Sequence, residues 1–274
     1  MKPASLSDLA DKYDVFLVDQ FGVLIDGAGA YDGAIEAMHV LLEAGKTVIV
    51  LTNSGKRAAH TRTRLEGYGF SMPGAQVVSS GEVARTLLAT RFSGHAAPCA
   101  VWYEAENTDA SPLEGLQVRY VDDMQDADLV MIAGVRSEDA TLGAFKARFR
   151  QAIERGVPCI CTNPDQRRLT SKGVRFAAGR IAALYQEMGG KVEWVGKPYR
   201  AMYDHATDLV GPAAKVICLG DSFAHDIKGA AFAGLPSVLV KTGLARDVSD
   251  EDLMLLCEQH GASPDYLLAS FRYT

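Results

Sequence analysis

The chain has 274 residues, of which 48% are hydrophobic and 23% charged, and its formal net charge is −6. A chain of this length can bury a large core in one or two domains. The acidic balance argues against a general nucleic-acid binder, which would present a basic face. No apolar run reaches the roughly 18 residues of a membrane span, and residues 1–12 lack the apolar centre of a signal peptide. We therefore expect a cytoplasmic protein, with five cysteines that stay reduced.

Apolar runs alternate with amphipathic segments along the whole chain. The first predicted strand is Val15-Phe16-Leu17-Val18, followed by a helix over 32–43, with Asp32 as its N-cap, and a second strand over 47–51. Further strands are predicted at 76–78, 100–103, 118–121, 129–132, 159–161, 215–219 and 237–240, and further helices at 56–67, 142–155 and 179–188. This alternation predicts an α/β fold with parallel sheets and right-handed crossovers.

Polar residues stand at four predicted strand ends. Asp19 follows the first strand, and the other groups are Thr52-Asn53-Ser54, Gly196-Lys197-Pro198 and Gly220-Asp221-Ser222, the last with Asp226 close by. Ligands of open α/β sheets bind beyond the carboxyl ends of the strands, so these residues are expected to meet. Because they cluster in the two outer parts of the chain, 82–178 is predicted to be an insertion between 1–81 and 179–274.

Each of these residue types suits a part of phosphoryl transfer. Asp19 can attack phosphorus and form an acyl-phosphate. Asp221 and Asp226 offer the hard oxygen ligands that Mg²⁺ prefers, and Mg²⁺ neutralises phosphate charge. Lys197 adds a positive charge, and the Thr52-Asn53-Ser54 turn offers a hydroxyl and free N–H groups to a phosphate. Each residue alone is also typical of a turn, a cap or a surface position; together they favour a Mg²⁺-dependent phosphate site.

The motifs resemble those of the haloacid dehalogenase superfamily, and within it the class IIA group of nucleotide, sugar-phosphate and p-nitrophenyl-phosphate phosphatases. The matching segments are Asp19-Gln20-Phe21-Gly22-Val23, Leu51-Thr52-Asn53-Ser54, Gly196-Lys197-Pro198, the eight residues from Gly220 to Ile227, and Cys161-Thr162-Asn163-Pro164-Asp165 in the insertion. The resemblance implies a Rossmann-like core with a central parallel sheet, formed by 1–81 and 179–274, and an inserted α/β cap domain, 82–178.

The resemblance also implies a ligand set and partners. Mg²⁺ is expected to be held by Asp19, Asp221 and the backbone carbonyl of Phe21, with Asp226 binding through water or orienting the site. Asn163 and Asp165 are expected to take part in substrate selection. The implied partner is a small phosphorylated metabolite, and the implied assembly is a homodimer. The acidic charge and the lack of long apolar runs predict no nucleic-acid partner and no membrane partner.

Phe21 departs from the pattern of the family. The phosphatases usually carry a second aspartate two residues after the nucleophile, which protonates the leaving alcohol, and losing such acid–base help costs about 10²- to 10⁴-fold in rate. Substitutes for it are His225, Glu104 or a group on the substrate. The predicted function is a Mg²⁺-dependent phosphatase of a small sugar, nucleotide or aryl phosphate monoester, acting through Asp19. Two alternatives stay open: a phosphoryl-ligand binding or regulatory protein with little turnover, and a non-phosphatase hydrolase of the same superfamily.

Overall fold

The computed structural model of the protein describes residues 1–72, 74, 76–94, 96–170 and 173–274. The strands, numbered in chain order, are β1 (Lys2–Pro3), β2 (Val15–Asp19), β3 (Thr47–Thr52), β4 (Gln76–Ser79), β5 (Cys99–Glu104), β6 (Val118–Tyr120), β7 (Leu129–Ile132), β8 (Cys159–Cys161), β9 (Arg167–Thr170), β10 (Gly173–Phe176), β11 (Val192–Trp194), β12 (Val216–Gly220), β13 (Ser237–Val240) and β14 (Tyr266–Leu268). The α-helices are α1 (Leu6–Ala10), α2 (Ala34–Glu43), α3 (Ala58–Gly67), α4 (Ser80–Phe92), α5 (Leu142–Glu154), α6 (Ala178–Glu187), α7 (Arg200–Asp208), α8 (Lys228–Ala233) and α9 (Asp250–His260). A π-helical turn spans Phe223–Ile227.

The first of two compact units consists of Met1–Thr52, Ala59–Val78 and Lys197–Thr274. It contains a seven-stranded sheet in the order β1-β14-β13-β12-β2-β3-β4, in which β2 pairs in parallel with both β12 and β3. Helices cover the faces of parallel sheets, which explains why the four residues that precede Asp19 in β2 are all buried. Phe16 and Val18 pack in one core with Met38 and Leu41 of α2.

The second unit consists of Asn53–Ala58 and Ser79–Gly196. Its five-stranded sheet has the order β11-β8-β7-β5-β6 with parallel pairing throughout, and β9 and β10 form a separate antiparallel pair. An aromatic cluster fills the core beside this sheet: Phe149 is fully buried, its ring centroid lies 4.9 Å from that of Tyr185, and Trp102 meets it edge to face. Truncating such a ring to alanine typically costs about 3–5 kcal/mol.

The α/β class with parallel sheets predicted from the sequence is confirmed. The predicted insertion, 82–178, lies within the second unit, which also contains Asn53–Ala58 and continues to Gly196. That this unit is a cap domain stays a prediction. Within the described residues, no helix combines the length and the apolar character that crossing a membrane demands.

The helix start predicted at Asp32 is wrong. Gly33 is the N-cap of α2, with a φ of 77°, and no side chain caps this end of the helix. Asp32 instead accepts a hydrogen bond from Arg272 near the end of the chain. A positive φ favours glycine over aspartate, so the local backbone selects the glycine as the cap.

Candidate functional site

Three neighbouring strands deliver polar residues to one edge of the seven-stranded sheet. β2 ends at Asp19, β3 ends at Thr52, and β12 ends at Gly220 directly before Asp221. In the register, Asp19 lies opposite Leu51, so Thr52 stands one residue beyond it. Parallel strands end at a common edge, which brings residues that are about 200 positions apart in the sequence into one place.

Lys197 lies at the centre of this cluster. Its Nζ atom donates to Asp19 Oδ1 at 2.5 Å and to Asp226 Oδ1 at 2.7 Å, and its side chain is only 4% exposed. Burial by itself lowers the pKa of an ammonium group, but the adjacent carboxylates of Asp19 and Asp226 outweigh it and raise the pKa of Lys197 above its ordinary value. Lys197 therefore keeps its proton and is a fixed positive charge.

Asp221 and Asp226 are held by backbone N–H groups. Asp226, in the π-helical turn, accepts a hydrogen bond from the N–H of Ser222 at 3.1 Å, and Asp221 accepts one from the N–H of Leu244 at 2.6 Å. Burial, and then the nearby charge of Asp226, raise the pKa of Asp221 to about 6. Burial also raises the pKa of Asp19 well above its ordinary value; the carboxylates of Asp226 and Asp221 add to this rise, while Lys197 opposes it.

These carboxylates fit a divalent cation. Asp19, Asp221 and Asp226 each offer one oxygen atom, and the three atoms lie within 4.8 Å of one another. Three carboxylates around one ammonium group leave excess negative charge, which adds to the effect of burial in raising the pKa values of Asp19 and Asp221 and which a cation would neutralise. Carboxylate oxygens are also the ligands that Mg²⁺ and Ca²⁺ take.

Glycines make room for these carboxylates. A Cβ atom on Gly22 or on Gly243 would overlap the carboxylate of Asp221, and one on Gly220 would overlap that of Asp226. Gly22 and Gly243 also have positive φ angles, of 96° and 48°. The loop of Gly243 is absent from the predicted site residues. It directly follows the predicted strand at 237–240, and a position after a strand is the feature that identified the other site residues.

Replacing Gly22 with alanine is expected to destabilise the protein and to weaken divalent-cation binding, because the new methyl group would displace the Asp221 carboxylate. Gly45 is a matched control: its φ is 74°, and nothing lies within 4 Å of the position of its Cβ atom. Gly45→Ala is expected to cost about 1 kcal/mol, and Gly22→Ala roughly 1–3 kcal/mol more. Urea denaturation and calorimetric Mg²⁺ titration measure the two effects. Equal results for the two variants would contradict the packing argument.

The remaining predicted phosphate-binding residues divide between the units. Thr52 is buried at the end of β3 in the first unit. Asn53 and Ser54 group with the second unit, where the Asn53 amide donates to Asp165 Oδ1 at 2.9 Å and Ser54 Oγ accepts from the N–H of Lys56. Phe21 follows Asp19 by two residues and is 47% exposed.

A cavity of about 160 Å³ lies within the second unit and is lined by Asn163 and Asp165. Asn163 Oδ1 accepts a hydrogen bond from the N–H of Asp165 at 3.1 Å, so both side chains belong to one network with Asn53. Lys56 and Arg168 also line the cavity. It is thus a polar chamber built by residues from widely separated segments of the sequence.

The two residues considered as substitute proton donors differ in their surroundings. Glu104 is 6% exposed within the second unit, and its carboxylate accepts the N–H of Arg136 at 2.7 Å. Burial raises the pKa of Glu104, and its hydrogen bond to Arg136 opposes this rise. His225 belongs to the π-helical turn of the first unit, and its Nδ1 atom lies 3.3 Å from Ser222 Oγ.

Family models and a relative of known name identify the kind of protein to which this chain is similar. Residues 16–117 match a family model described as haloacid dehalogenase-like hydrolase, and residues 194–272 match a second, HAD-hydrolase-like model. Sugar-phosphatase AraL of Bacillus subtilis strain 168 is 30% identical over 262 residues, which cover 93% of this chain and 90% of the relative.

Two solved structures are similar over almost the whole chain. A haloacid dehalogenase-like hydrolase from Brucella suis 1330 has a TM-score of 0.81 at 26% identity, with 98% of this chain and 99% of that one covered. The glycerol phosphate phosphatase of Mycobacterium tuberculosis in complex with magnesium has a TM-score of 0.76 at 26% identity, with 99% and 78% covered.

Proposed function

The chain belongs to the haloacid dehalogenase superfamily of hydrolases, in its class IIA group, and from this premise we propose that it is a Mg²⁺-dependent phosphatase of a small phosphate monoester. The observation that carries the proposal is the arrangement around Lys197, which holds Asp19 and Asp226 within hydrogen-bond distance while Asp221 completes a set of three clustered carboxylates. The names of two relatives, a sugar-phosphatase and a glycerol phosphate phosphatase, support a small phosphorylated substrate.

Asp19 is the nucleophile in this proposal. One of its carboxylate oxygens attacks phosphorus, the bond from phosphorus to the leaving oxygen breaks, and a phosphoryl group stays on Asp19. Water then hydrolyses the aspartyl-phosphate and frees phosphate. The Lys197 ammonium, fixed at 2.5 Å from Asp19, orients the carboxylate and offsets charge on the phosphoryl oxygens.

The other residues bind the metal and the phosphate. Asp19, Asp221 and Asp226, with the backbone carbonyl of Phe21, hold the metal. When bound, Mg²⁺ would neutralise the charge that keeps a phosphate and a carboxylate apart. Thr52, Asn53 and Ser54, together with Lys197, bind the phosphate. The second unit serves as the cap domain, and Asn163 and Asp165 on its cavity select the substrate.

Phosphate release from sugar, nucleotide and aryl phosphates, with Mg²⁺ or with EDTA, tests the proposal. Turnover that requires Mg²⁺ is the expected result. Mg²⁺ binding without release from any ester would contradict the proposed phosphatase and favour a phosphoryl-ligand binding protein.

Mg²⁺ affinity is expected to fall as the pH is lowered through about 6. The pKa of Asp221 is raised to about 6 by burial and by Asp226, so at pH 5 most of this carboxyl is protonated and cannot bind a cation. From this group alone, the dissociation constant for Mg²⁺ is expected to be about tenfold larger at pH 5 than at pH 7.5. Isothermal titration calorimetry at the two pH values measures the difference, and equal affinities would contradict the role of Asp221.

The same shift predicts how the metal-free protein responds to pH. The pKa of Asp221 is higher in the folded protein than its ordinary value of 3.8. Protonation therefore favours the folded state, and the contribution of Asp221 makes the metal-free protein more stable as the pH falls from about 6 to about 4. Mg²⁺ at pH 7.5 is expected to raise the melting temperature instead, because it binds the folded state.

A further inference from the structure

Phe21 has a phenyl ring at the position from which a proton donor would protonate the leaving group. It lies two residues after Asp19, the residue is 47% exposed, and the guanidinium carbon of Arg64 lies 5.5 Å from the ring centroid. A phenyl ring neither gives nor takes a proton. At this position the protein offers the substrate an apolar surface rather than an acid.

The donors around Asp19 are engaged within the site itself. In the described chain, the donors hydrogen-bonded to the Asp19 carboxylate are the backbone N–H of Gln20 and the ammonium of Lys197. Lys197 Nζ also donates to Asp226 at 2.7 Å, and its side chain is only 4% exposed. The hydroxyl of Tyr203 is buried and donates to the backbone carbonyl of His225.

A second apolar side chain stands on the adjoining loop. Leu244 is 75% exposed, while its backbone N–H donates to Asp221 at 2.6 Å. The loops of Phe21 and Leu244 are in contact, because Thr242 Oγ1 donates to the carbonyl of Gly22 and Gly243 packs against the Gly22 Cα atom. We call Phe21 and Leu244 the apolar rim. Phe21 is next to Gly22 and Leu244 is next to Gly243, the two glycines that leave room for the Asp221 carboxylate.

We propose that the substrate is an aryl phosphate, the phosphate ester of a phenol, whose ring packs on the apolar rim; this inference rests on the proposed function. The stability of the phenolate anion replaces the proton that an acid would supply. Alkyl phosphates, such as those of sugars and glycerol, leave as far more basic alkoxides and are expected to be poor substrates.

The chemistry balances without a protein acid. An Asp19 oxygen forms a bond to phosphorus, the bond from phosphorus to the aryl oxygen breaks, and its electron pair leaves with the phenolate, which is protonated in solution. In the second step a water oxygen bonds to phosphorus and the bond to Asp19 breaks. The electron pair of that bond returns to the carboxylate, and the proton from water goes to a phosphate oxygen or to solvent.

This scheme has a kinetic signature. All substrates pass through the same aspartyl-phosphate, so acidic phenols are expected to share one kcat, set by hydrolysis of that intermediate. Their kcat/KM values are expected to differ, because the first step depends on the leaving group. A burst of phenol release equal to the enzyme concentration is expected with the most acidic phenols.

The test is kcat/KM with Mg²⁺ across phenyl phosphates of graded leaving-group acidity, from phenyl to 4-nitrophenyl phosphate, with glycerol 3-phosphate as the alkyl comparison. For the unaltered protein we expect kcat/KM to rise steeply with the acidity of the leaving group. The value for glycerol 3-phosphate is expected to be at least about 100-fold below that for 4-nitrophenyl phosphate. Phe21→Asp is expected to flatten the series by raising kcat/KM for glycerol 3-phosphate about 100-fold. Leu244→Ala, at an exposed position, is expected to raise KM for the aryl esters more than KM for glycerol 3-phosphate.

Phe232 provides the control, because it is 57% exposed and lies 5.5 Å from the Lys228 ammonium, as Phe21 lies near Arg64. Phe232→Ala is expected to leave all constants unchanged. The aryl phosphate assignment would be overturned if kcat/KM in the unaltered protein did not vary with leaving-group acidity, or if it varied as strongly in Phe21→Asp. Either result would leave the proposed phosphatase activity intact. Absence of phosphate release from every ester would overturn the proposed phosphatase itself, and this inference with it.

Discussion

Asp19→Asn is expected to abolish turnover, with kcat reduced by about 10⁴-fold or more, as is usual when the group that forms a covalent intermediate is removed. An amide oxygen is too weak a nucleophile to attack phosphorus, but it has the same size as the carboxylate oxygen and still accepts the hydrogen bond from Lys197 Nζ. The variant is therefore expected to fold. Phosphate release measures the loss, and mass spectrometry of acid-quenched protein detects the phosphoryl group, which should appear on the unaltered chain alone.

Asp204 supplies the matched control. Its side chain is 53% exposed on α7, where it pairs with Arg200 one turn earlier. Asp204→Asn is expected to keep full activity, since an exposed pair of this kind contributes well under 1 kcal/mol to stability. Turnover that persists in Asp19→Asn, or a phosphoryl group on that variant, would contradict Asp19 as the nucleophile.

Lys197→Met is expected to be the most destabilising single change at the site. Methionine matches the length of the lysine stem but leaves the Asp19 and Asp226 carboxylates without the cation that lies 2.5 and 2.7 Å from them. Removing one partner of a buried ion pair typically costs about 3–5 kcal/mol. Turnover is expected to disappear as well, because the fixed charge that offsets the phosphoryl oxygens is lost.

Urea denaturation with and without Mg²⁺ measures this effect. The loss of unfolding free energy in Lys197→Met should become smaller at acidic pH, because burial raises the pKa of Asp19 well above its ordinary value and protonation removes a charge that the lysine no longer balances. Lys215→Met is the control, because Lys215 is exposed immediately before β12. A Lys197→Met protein as stable as the control at pH 7.5 would show that the ammonium does not balance the charge of the site.

Much of the first unit could be predicted from the sequence. Strands such as β2 and β12 are buried on both faces and appear as short apolar runs, so their ends at Asp19 and Gly220 are visible without a structure. Parallel pairing then requires that these ends meet. Helix α4 was not predicted, although its cap was visible: Ser79 accepts from the N–H of Glu82, three residues on, which is a recognised start signal.

The sequence by itself determined the α/β class, the family, and the residue types gathered at the sheet edge. Only the tertiary structure decided that Lys197 bridges Asp19 and Asp226, and that the loop of Leu244 binds Asp221. Periodicity and turn signals report on neighbours within a few residues, whereas Lys197 and Asp19 are 178 residues apart. The charge balance and the raised pKa values of the site depend on distances that arise when these segments pack together, and no local pattern encodes them.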